Sequence, residues 1–419
     1  MEMYEVFVVG GVPSRTYNPR DSRRLVADLE NIERSRHTLG ALHGPTKCGK
    51  SVLLAKSVRS AITIDGGALD SADALWRELA SRLDVPVGAR SSFAYREQSG
   101  STSTGDVGVP LVAHGSHAGS EGTEILRSRE WDSAESLEAN VRKTLVREEL
   151  AIAIDDFHHA QFSARRALTH VFKSLLFEGV PVILASVSHR AYDTVLAEPE
   201  MGGRVELIEV PAWDVDELRQ IGVDGFSALN VVTSDQVLDR LAAEALGSPQ
   251  LMQLFCRELC RDAGVLAASE RSVEIHEPDW PDFFAAIARK STAVNSLTPI
   301  KLGPKERGHA RQRMRTVDDE EVDIYGAILK AIARCGPRSE IHYRDLRSAI
   351  GDVVVDANPN AGQIKNTLEH QSGIAARLVE QHEFAEPVIY WQSGRETLHI
   401  IDPFFSFFVR WGDMKLDRG

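Results

Sequence analysis

The sequence predicts an α/β fold with a parallel sheet in its first half, a helical region after it and a smaller mixed domain at the end. Short apolar runs in the first half alternate with segments of helical periodicity, which is the pattern of a parallel sheet. From residue 214 to about residue 293 the periodicity is helical throughout. Residues 322–411 then combine three helical patterns, an apolar hairpin around residues 392–394 and a closing aromatic helix. A chain of 419 residues has room for these two or three domains.

The apolar runs give the candidate strands of the sheet. They lie at residues 38–43, 61–65, 151–155, 181–186 and 205–210, and a sixth run, VFVVGG, occupies residues 6–11. Residues 70–83 and 131–150 carry apolar side chains at three- and four-residue spacing and are predicted helices. Between these helices, residues from about 88 to 123 are rich in Gly and Ser. We expect a mobile surface loop there, because such a segment has too little apolar surface to pack.

Composition excludes several classes of protein. Apolar residues make up 43% and charged residues 26%, which is a globular balance, and the net charge of −13 argues against a chain coated in nucleic acid. Four cysteines are too few for a disulfide framework in a chain of this size. No apolar stretch is long enough to cross a bilayer. We therefore expect a soluble cytoplasmic protein with no membrane partner.

The strongest motif is GPTKCGKS at residues 44–51, which fits the pattern G-x-x-x-x-G-K-[ST] of a phosphate-binding P-loop. Gly44 and Gly49 let the backbone curl so that successive amides point at phosphate oxygens. Lys50 is expected to reach the β- and γ-phosphates, and the Ser51 hydroxyl to bind Mg²⁺. The candidate nucleotide-binding residues of the loop are Gly44, Pro45, Thr46, Lys47, Cys48, Gly49, Lys50, Ser51 and Val52. An ordinary strand–helix turn is the alternative.

Polar residues at two later strand ends would complete such a site. The run AIAIDD at residues 151–156 ends in Asp155, a candidate Mg²⁺ ligand, and Asp156, a candidate base that orients the attacking water. A solvated strand end with two acids is the alternative. Ser186 and Ser188 follow the next strand, where they are equally well explained as contacts to the γ-phosphate or as plain strand-end hydroxyls.

With these motifs in the order found, the chain resembles the STAND and AAA+ branch of P-loop ATPases, including origin-recognition-type proteins. The box around Tyr17 and Arg20 is similar to the one that packs on adenine, and Arg204 stands where that branch can carry an arginine finger. Residues 247–249, Gly-Ser-Pro, are similar to a lid motif, so that Pro249 would touch the nucleotide. The resemblance implies a P-loop core with the 181–186 strand between the strands of residues 38–43 and 151–155, then a helical lid and a C-terminal winged-helix domain. It also implies ATP or ADP with Mg²⁺ as cofactors.

Two departures from that family pattern bear on turnover. Asp156 stands where AAA+ proteins most commonly carry Glu, so the carboxylate is one methylene shorter. The lid motif lacks the arginine that many AAA+ lids carry just after the glycine. Both departures favour a slow, switch-like STAND protein over a processive motor.

The predicted domains are a core at residues 1–212, a helical lid at 213–300, a charged linker at 301–320 and a winged-helix domain at 321–419. Residues 301–315 hold six Lys or Arg against one Glu, which suits either nucleic acid or a linker that folds onto the acidic residues following it. The candidate recognition helix at residues 361–371 has one Lys and one Glu, which fits protein contacts better than DNA. The aromatic residues of 404–411 are predicted to form the core of this domain.

The favoured function is an ATP-dependent switch that controls self-assembly or a separate protein effector; compact ATPases of this resemblance often serve in bacterial defence or signalling. Its candidate catalytic residues are Asp156, Lys50, Arg204 and Ser186, and its candidate metal ligands are Ser51 and Asp155. One alternative is a DNA-associated loader or regulator that binds duplex through its winged helix and basic segment. Another is a protein that keeps nucleotide as a fixed scaffold without hydrolysis.

Overall fold

The structure is a computed structural model that describes residues 1–58, 60–85, 136–186, 201, 203–290, 294–304, 311–356, 359–380 and 386–412. The predicted loop at about 88–123, Ser188 and residues 305–310 of the basic segment lie outside the described residues. Along the described part of the chain, no helix is both long and apolar enough to cross a membrane. All four cysteines are free thiols.

A five-stranded parallel sheet forms the centre of the first domain, in the order β2-β3-β4-β1-β5. Its strands are Leu39–His43 (β1), Ala61–Asp65 (β2), Ala151–Asp155 (β3), Val182–Ser186 (β4) and Val205–Glu209 (β5). All five strands predicted between residues 38 and 210 are confirmed, and β4 lies between β1 and β3 as the resemblance implied. The continuous apolar runs of β1 and β4 are buried along their whole length, as expected for central strands covered by helices on both faces.

Helices cover both faces of this sheet. They are Leu25–Ser35 (α2), Lys50–Ser57 (α3), Ala72–Arg82 (α4), Leu137–Arg147 (α5) and Phe162–Phe177 (α6), preceded by the short helix Met3–Val6 (α1). Strand register places His43 opposite Ser186, and Asp65 opposite Asp155. Because the strands are parallel, these four polar residues share the carboxyl edge of the sheet, which is where such folds bind their ligands.

The predicted strand at residues 6–11 is wrong. The chain there forms the end of α1 and turns, and its apolar side chains pack away from the sheet. The Phe7 ring lies 5.4 Å from the Phe226 ring in an edge-on arrangement, and the Met3 amide donates to the Leu266 carbonyl at 2.9 Å. A short apolar run does not distinguish a strand from other buried backbone, and here the helical region at residues 213–300, which we label the lid, buries it.

The second region is helical, as predicted. Its helices are Val215–Ala228 (α7), Asp235–Glu244 (α8), Pro249–Asp262 (α9), Trp280–Arg289 (α10) and Val294–Leu302 (α11). Val231–Val232 (β6) and Val273–Glu274 (β7) add one small parallel pair. Helix α7 starts with a capping box in which Asp214 accepts from the Glu217 amide and Glu217 accepts from the Asp214 amide. Helix α9 begins with Ser248 as its N-cap and Pro249 in its first turn.

The third region contains the predicted three helices, hairpin and closing helix. These are Ile324–Arg334 (α12), Tyr343–Val353 (α13), Ala361–Glu380 (α14), the strands Ile389–Gln392 (β11) and Thr397–Ile400 (β12), and Pro403–Trp411 (α15). The strand Glu340–His342 (β10) pairs with β12, so that the small antiparallel sheet has the order β10-β12-β11. A further pair, Met314–Arg315 (β8) and Glu321–Val322 (β9), precedes α12.

The closing aromatic helix packs into the core of the third region, as predicted, and it also packs against the second region. The Phe407 ring lies 5.0 Å from Phe255 of the lid, and the Trp411 ring lies 5.0 Å from Phe284 of the lid. Arg410 and Trp411 both donate to the buried carboxylate of Glu244 at the end of α8. Helix α15 therefore joins the lid and the third region through one shared core, which we call the lid–C-terminal unit (residues 213–412).

The described part of the basic segment folds onto neighbouring acids. The Arg311 guanidinium lies 2.9 Å from Asp323 and 4.4 Å from the Tyr325 ring centroid. Arg315 lies 3.8 Å from Asp319. Of the two predicted uses of this segment, these contacts favour the linker over a nucleic-acid surface.

Candidate functional site

The glycine-rich loop lies between β1 and α3 at the carboxyl edge of the sheet. Two of its positions require glycine. A Cβ on Gly44 would lie 2.1 Å from the Val210 carbonyl oxygen, because the Val210 amide bonds to His43 and holds the end of β5 against the loop. Gly49, the N-cap of α3, has a φ of 94°, which L side chains rarely adopt. The loop thus has the tight curl that directs backbone amides at an anion.

Lys50 is buried inside this curl, with 6% of its surface exposed. Its Nζ donates to the carbonyl oxygens of Gly44 at 3.0 Å and Pro45 at 2.9 Å. An ammonium held by two neutral carbonyls is positioned to exchange them for the charged oxygens of a phosphate, which bind it more strongly. The neighbouring Cys48 is buried, which raises the pKa of its thiol.

The acidic pair lies at the end of β3, and of its two members Asp156 lines the cavity together with the P-loop. Asp155 ends β3 and accepts a hydrogen bond from the Asp156 amide at 3.1 Å. Asp156 has a φ of 49°, and its burial, followed by the charge of Asp155, raises the pKa of its carboxyl. A raised pKa makes a carboxylate a better proton acceptor for an attacking water.

Ser186 ends β4, between the strands that lead to the P-loop and to the acidic pair. Its Oγ is buried and has no hydrogen-bond partner among the described residues. Buried hydroxyls are nearly always bonded, so an unpaired one at this edge fits a contact that a ligand or its water supplies. This position keeps Ser186 as a candidate for the γ-phosphate end of the site.

Magnesium fits the same end of the site. Ser51 stands in the first turn of α3 and Asp155 at the end of β3, and both supply the oxygen ligands that Mg²⁺ prefers. Among the described residues, no group of three or more His, Cys, Asp or Glu side chains is arranged to hold a metal by itself. A metal held here would therefore take its remaining ligands from phosphate oxygens and water, as Mg²⁺ does in nucleotide sites.

A cavity of about 390 Å³ extends from the loop to the lid. This volume is in the range of small-molecule sites. The cavity lining includes residues 46–53 with Asp156, His158 and His159, and also ten residues between Val8 and Arg20 with Ile221, Gln250 and Gln253. We call the part that the P-loop and Asp156 line the phosphate end; the other part is lined by the amino-terminal segment and the lid.

Tyr17 and Arg20 line this cavity, but they differ in what their polar groups do. The Arg20 guanidinium is buried, donating to the Pro211 carbonyl at 3.0 Å and to Glu217 at 2.8 Å, and it lies 4.9 Å from the Trp213 ring. It thus fixes the start of the lid, while its position in the wall of the cavity agrees with the predicted box. Tyr17 is half-buried, which raises the pKa of its hydroxyl.

The lid touches the loop at two points. Trp213 Nε1 donates to the Cys48 carbonyl at 2.8 Å, and Pro249 Cγ lies 3.9 Å from where a Cβ on Gly49 would be. Pro249 therefore lies beside the P-loop, and its contact with the nucleotide stays a prediction. Trp213 was not predicted as a site residue, because its one signal in the sequence is an aromatic residue at the start of the lid.

The third region also reaches the site, which nothing in the sequence predicted. Lys47 Nζ lies 2.8 Å from both carboxylate oxygens of Asp402 and 4.3 Å from the Phe404 ring centroid. His158 Nε2 lies 3.3 Å from Glu386 Oε1, and Glu386 lines the cavity. The one sequence feature that indicates Asp402 is its place directly before a proline, which is typical of the start of a helix.

Arg204 lies away from the cavity of its own chain. It precedes β5 at the amino end of the sheet, where its carbonyl accepts from the Leu39 amide. Its guanidinium lies 5.8 Å from the ring of Phe177, a side chain that is 76% exposed. Among the described residues it makes no ion pair with Glu206 or Glu209, the alternative partners considered from the sequence.

No protein-family model and no curated protein matches the sequence significantly. Among solved structures, a Walker-type ATPase of Pyrococcus abyssi aligns with 94% of this chain and 96% of its own, at 16% identity and a TM-score of 0.48. The ORC2 protein of Aeropyrum pernix aligns over 97% and 95% at 13% identity and 0.46, and Cdc6p of Pyrobaculum aerophilum over 97% and 97% at 13% identity and 0.42. These likenesses are distant, so the functional conclusions depend on the geometry of the site.

Proposed function

We propose that the chain is an ATP-binding, slowly hydrolysing switch of the STAND or AAA+ type. Nucleotide and Mg²⁺ at Lys50, Ser51 and Asp155 would govern whether the lid–C-terminal unit stays docked on the core. The observation that supports this proposal most is the ion pair between Lys47 of the P-loop and Asp402 of the third region.

The Lys47–Asp402 pair links the nucleotide loop directly to helix α15. Asp402 also caps that helix, since its side chain accepts from the Phe404 amide at 2.7 Å. A triphosphate on the P-loop brings several anionic oxygens close to Lys47. These oxygens compete with Asp402 for the same ammonium, so nucleotide loading weakens the attachment of α15.

Glu386 makes a second contact between the third region and the site. We expect nucleotide binding to weaken this contact as well. Its side chain is 9% exposed and lines the cavity beside His158, which follows Asp156 by two positions in the chain. A carboxylate at the phosphate end repels a polyphosphate, and partial burial strengthens that repulsion. Loading ATP therefore favours a conformation in which the segment carrying Glu386 has moved away.

The shared core of the lid–C-terminal unit makes this movement collective. Phe407 and Trp411 of α15 pack on lid phenylalanines, while Asp402 at the start of the same helix binds the P-loop. Release of Asp402 therefore shifts a unit that includes Pro249 and Trp213, the two lid residues beside the loop. One nucleotide event is thus coupled to both the lid and the third region.

The third region supplies the output surface in this proposal. Its order of α12, β10, α13, α14 and the β11–β12 hairpin supports a winged-helix domain. We propose that ATP-driven release frees it for self-assembly or for a protein effector in the cytoplasm, where the four free thiols stay reduced. In the described part of the linker, Arg311 folds back onto Asp323, which leaves this arginine less available to DNA.

The Asp402→Asn variant tests the competition directly. Asparagine is also a good helix cap, so the start of α15 is preserved while the carboxylate charge is lost. We expect ATP to bind about 2- to 5-fold more tightly, because partly exposed ion pairs contribute ~0.2–1 kcal/mol. Titration with a fluorescent ATP analogue measures this change. Asp345→Asn, which removes an exposed acid of the same region paired with Arg338, should leave the affinity unchanged; an equal effect there would contradict the coupling.

A second experiment tests whether Arg204 acts on the site of a neighbouring subunit. Alone, Arg204→Ala should bind ATP yet hydrolyse it poorly, and Lys50→Ala should also be inactive. A mixture places an intact Lys50 site beside an intact Arg204, and part of the hydrolysis should return, since a finger of this kind contributes roughly a thousandfold. Arg34→Ala, an exposed arginine of α2, is the control and should hydrolyse normally. No recovery in a mixture shown by mass to co-assemble would remove Arg204 from the site.

A further inference from the structure

The wall that the amino-terminal segment and helix α9 form around the cavity includes a buried glutamine that the phosphate chemistry does not use. Helix α9 presents Pro249, Gln250 and Gln253 to the cavity, as expected for positions one turn apart on one face. Gln253 is 3% exposed. Its Oε1 is buried and has no hydrogen-bond partner among the described residues.

A chain of hydrogen bonds fixes which end of this amide is free. Gln253 Nε2 donates to Thr16 Oγ1 at 2.6 Å, and Thr16 Oγ1 donates its single proton to the Val6 carbonyl at 3.0 Å. Because the Thr16 proton is already used, the hydroxyl acts as an acceptor for Gln253. A rotated amide would place Gln253 Oε1 against the Thr16 oxygen, which sets two acceptors against each other. The donor of Gln253 is therefore held by Thr16, and the buried Oε1 is the polar atom of this cavity-lining residue that is left without a partner among the described residues.

We propose that Gln253 Oε1 accepts a hydrogen bond from the exocyclic amine of the nucleotide base and so selects adenine over a 6-oxo purine. The inference rests on the proposed nucleotide site, since it concerns the base of the nucleotide whose phosphates occupy the P-loop. With phosphates beside Lys50, the base extends to the opposite end of the cavity, between the amino-terminal segment and helix α9. Adenine carries an amine at position 6 that donates, whereas guanine and hypoxanthine carry an oxygen there that accepts.

The pairing also accounts for the buried unpaired oxygen. A buried acceptor that has no hydrogen-bond partner is destabilising, because it has lost its bonds to water and gained none in return. An adenine amine satisfies Oε1, while a 6-oxo group sets one acceptor against another. Sites built to hydrogen-bond a ligand group reject analogues that lack it for this reason. We therefore expect wild-type protein to bind ATP about 10-fold or more tightly than a purine that lacks the amine.

The test compares three triphosphates in competition with a fluorescent ATP analogue: ATP, ITP with an oxygen at position 6, and purine riboside triphosphate with no group there. Wild type should prefer ATP over both. Gln253→Met keeps the length of the side chain but removes the acceptor, so the preference should fall to about 2-fold or less. Gln250→Met is the matched control, a glutamine of the same helix that also lines the cavity, and it should keep the wild-type preference.

A second variant covers the case in which Gln253→Met does not fold. Thr16→Val removes the partner that fixes the amide, so that Gln253 can rotate and present its donor to ITP. The ratio of ATP to ITP affinity should then fall while both nucleotides still bind. Equal affinity of wild type for all three nucleotides, or an undiminished preference in Gln253→Met, would overturn the role of Gln253 alone. Failure of every nucleotide to bind wild type would instead remove the proposed site and this inference together.

Discussion

The Lys50→Ala protein should lose nucleotide binding. Lys50 is the side-chain cation buried inside the P-loop, and its two present acceptors are loop carbonyls that a phosphate can replace. Its removal leaves the β- and γ-phosphates facing backbone amides without a compensating charge. Charge-assisted contacts of this kind are about twice as strong as neutral ones, so we expect affinity to fall by roughly 100-fold or more.

Titration with a fluorescent nucleotide measures this loss. Lys290→Ala removes a lysine of the lid that pairs with Glu258 outside the cavity, and it should bind as wild type does. A folded Lys50→Ala protein that titrates like wild type would show that GPTKCGKS is an ordinary strand–helix turn.

The Asp156→Asn protein should keep ATP bound and lose most of its hydrolysis. Asp156 lines the phosphate end of the cavity, and burial and the charge of Asp155 raise the pKa of its carboxyl. An amide of the same size cannot accept a proton from the attacking water. Removing a general base typically costs about 10²- to 10⁴-fold in rate, so phosphate release should fall by that order.

Asp155→Asn separates the two acids of the pair. Since Asp155 is proposed to hold Mg²⁺, its amide variant should weaken the Mg²⁺-dependent part of binding, which a titration with and without the metal would show. Phosphate release and affinity measured on both variants therefore distinguish a base from a ligand. Normal hydrolysis by both would mean that residues 151–156 are not the acidic strand of an ATPase site.

The parts of the fold that could be predicted are those with a local pattern. The run AIAID is apolar on both faces and ends in acids, so β3 and its place at the carboxyl edge follow from the sequence. Pro249 likewise begins a helix where a proline costs nothing. VFVVGG has the same local pattern as a strand, yet Phe7 is buried against Phe226, a residue more than 200 positions away. The conformation of that segment therefore depends on packing against a residue that is distant in the sequence.

The same distinction holds within the site. Its phosphate end depends on a short motif in which Gly44, Gly49 and Lys50 act together, so it was predictable. Lys47 and Asp402 are 355 positions apart, and no periodicity connects them. Glu386 has no local signal, and the role of Gln253 depends on its bond to Thr16, 237 positions away. Contacts between domains create these features, and the sequence of one segment does not contain them.

Hydrogen exchange of residues 386–404 tests the central proposal most directly, because this segment holds both Glu386 and Asp402. Exchange is compared without nucleotide and with a saturating Mg²⁺ complex of a non-hydrolysable ATP analogue, in wild type and in Lys50→Ala. If nucleotide controls the docking of the lid–C-terminal unit, the analogue should speed exchange in this segment of wild type and have no effect in Lys50→Ala. Unchanged or slower exchange in wild type with the analogue demonstrably bound would contradict the switch.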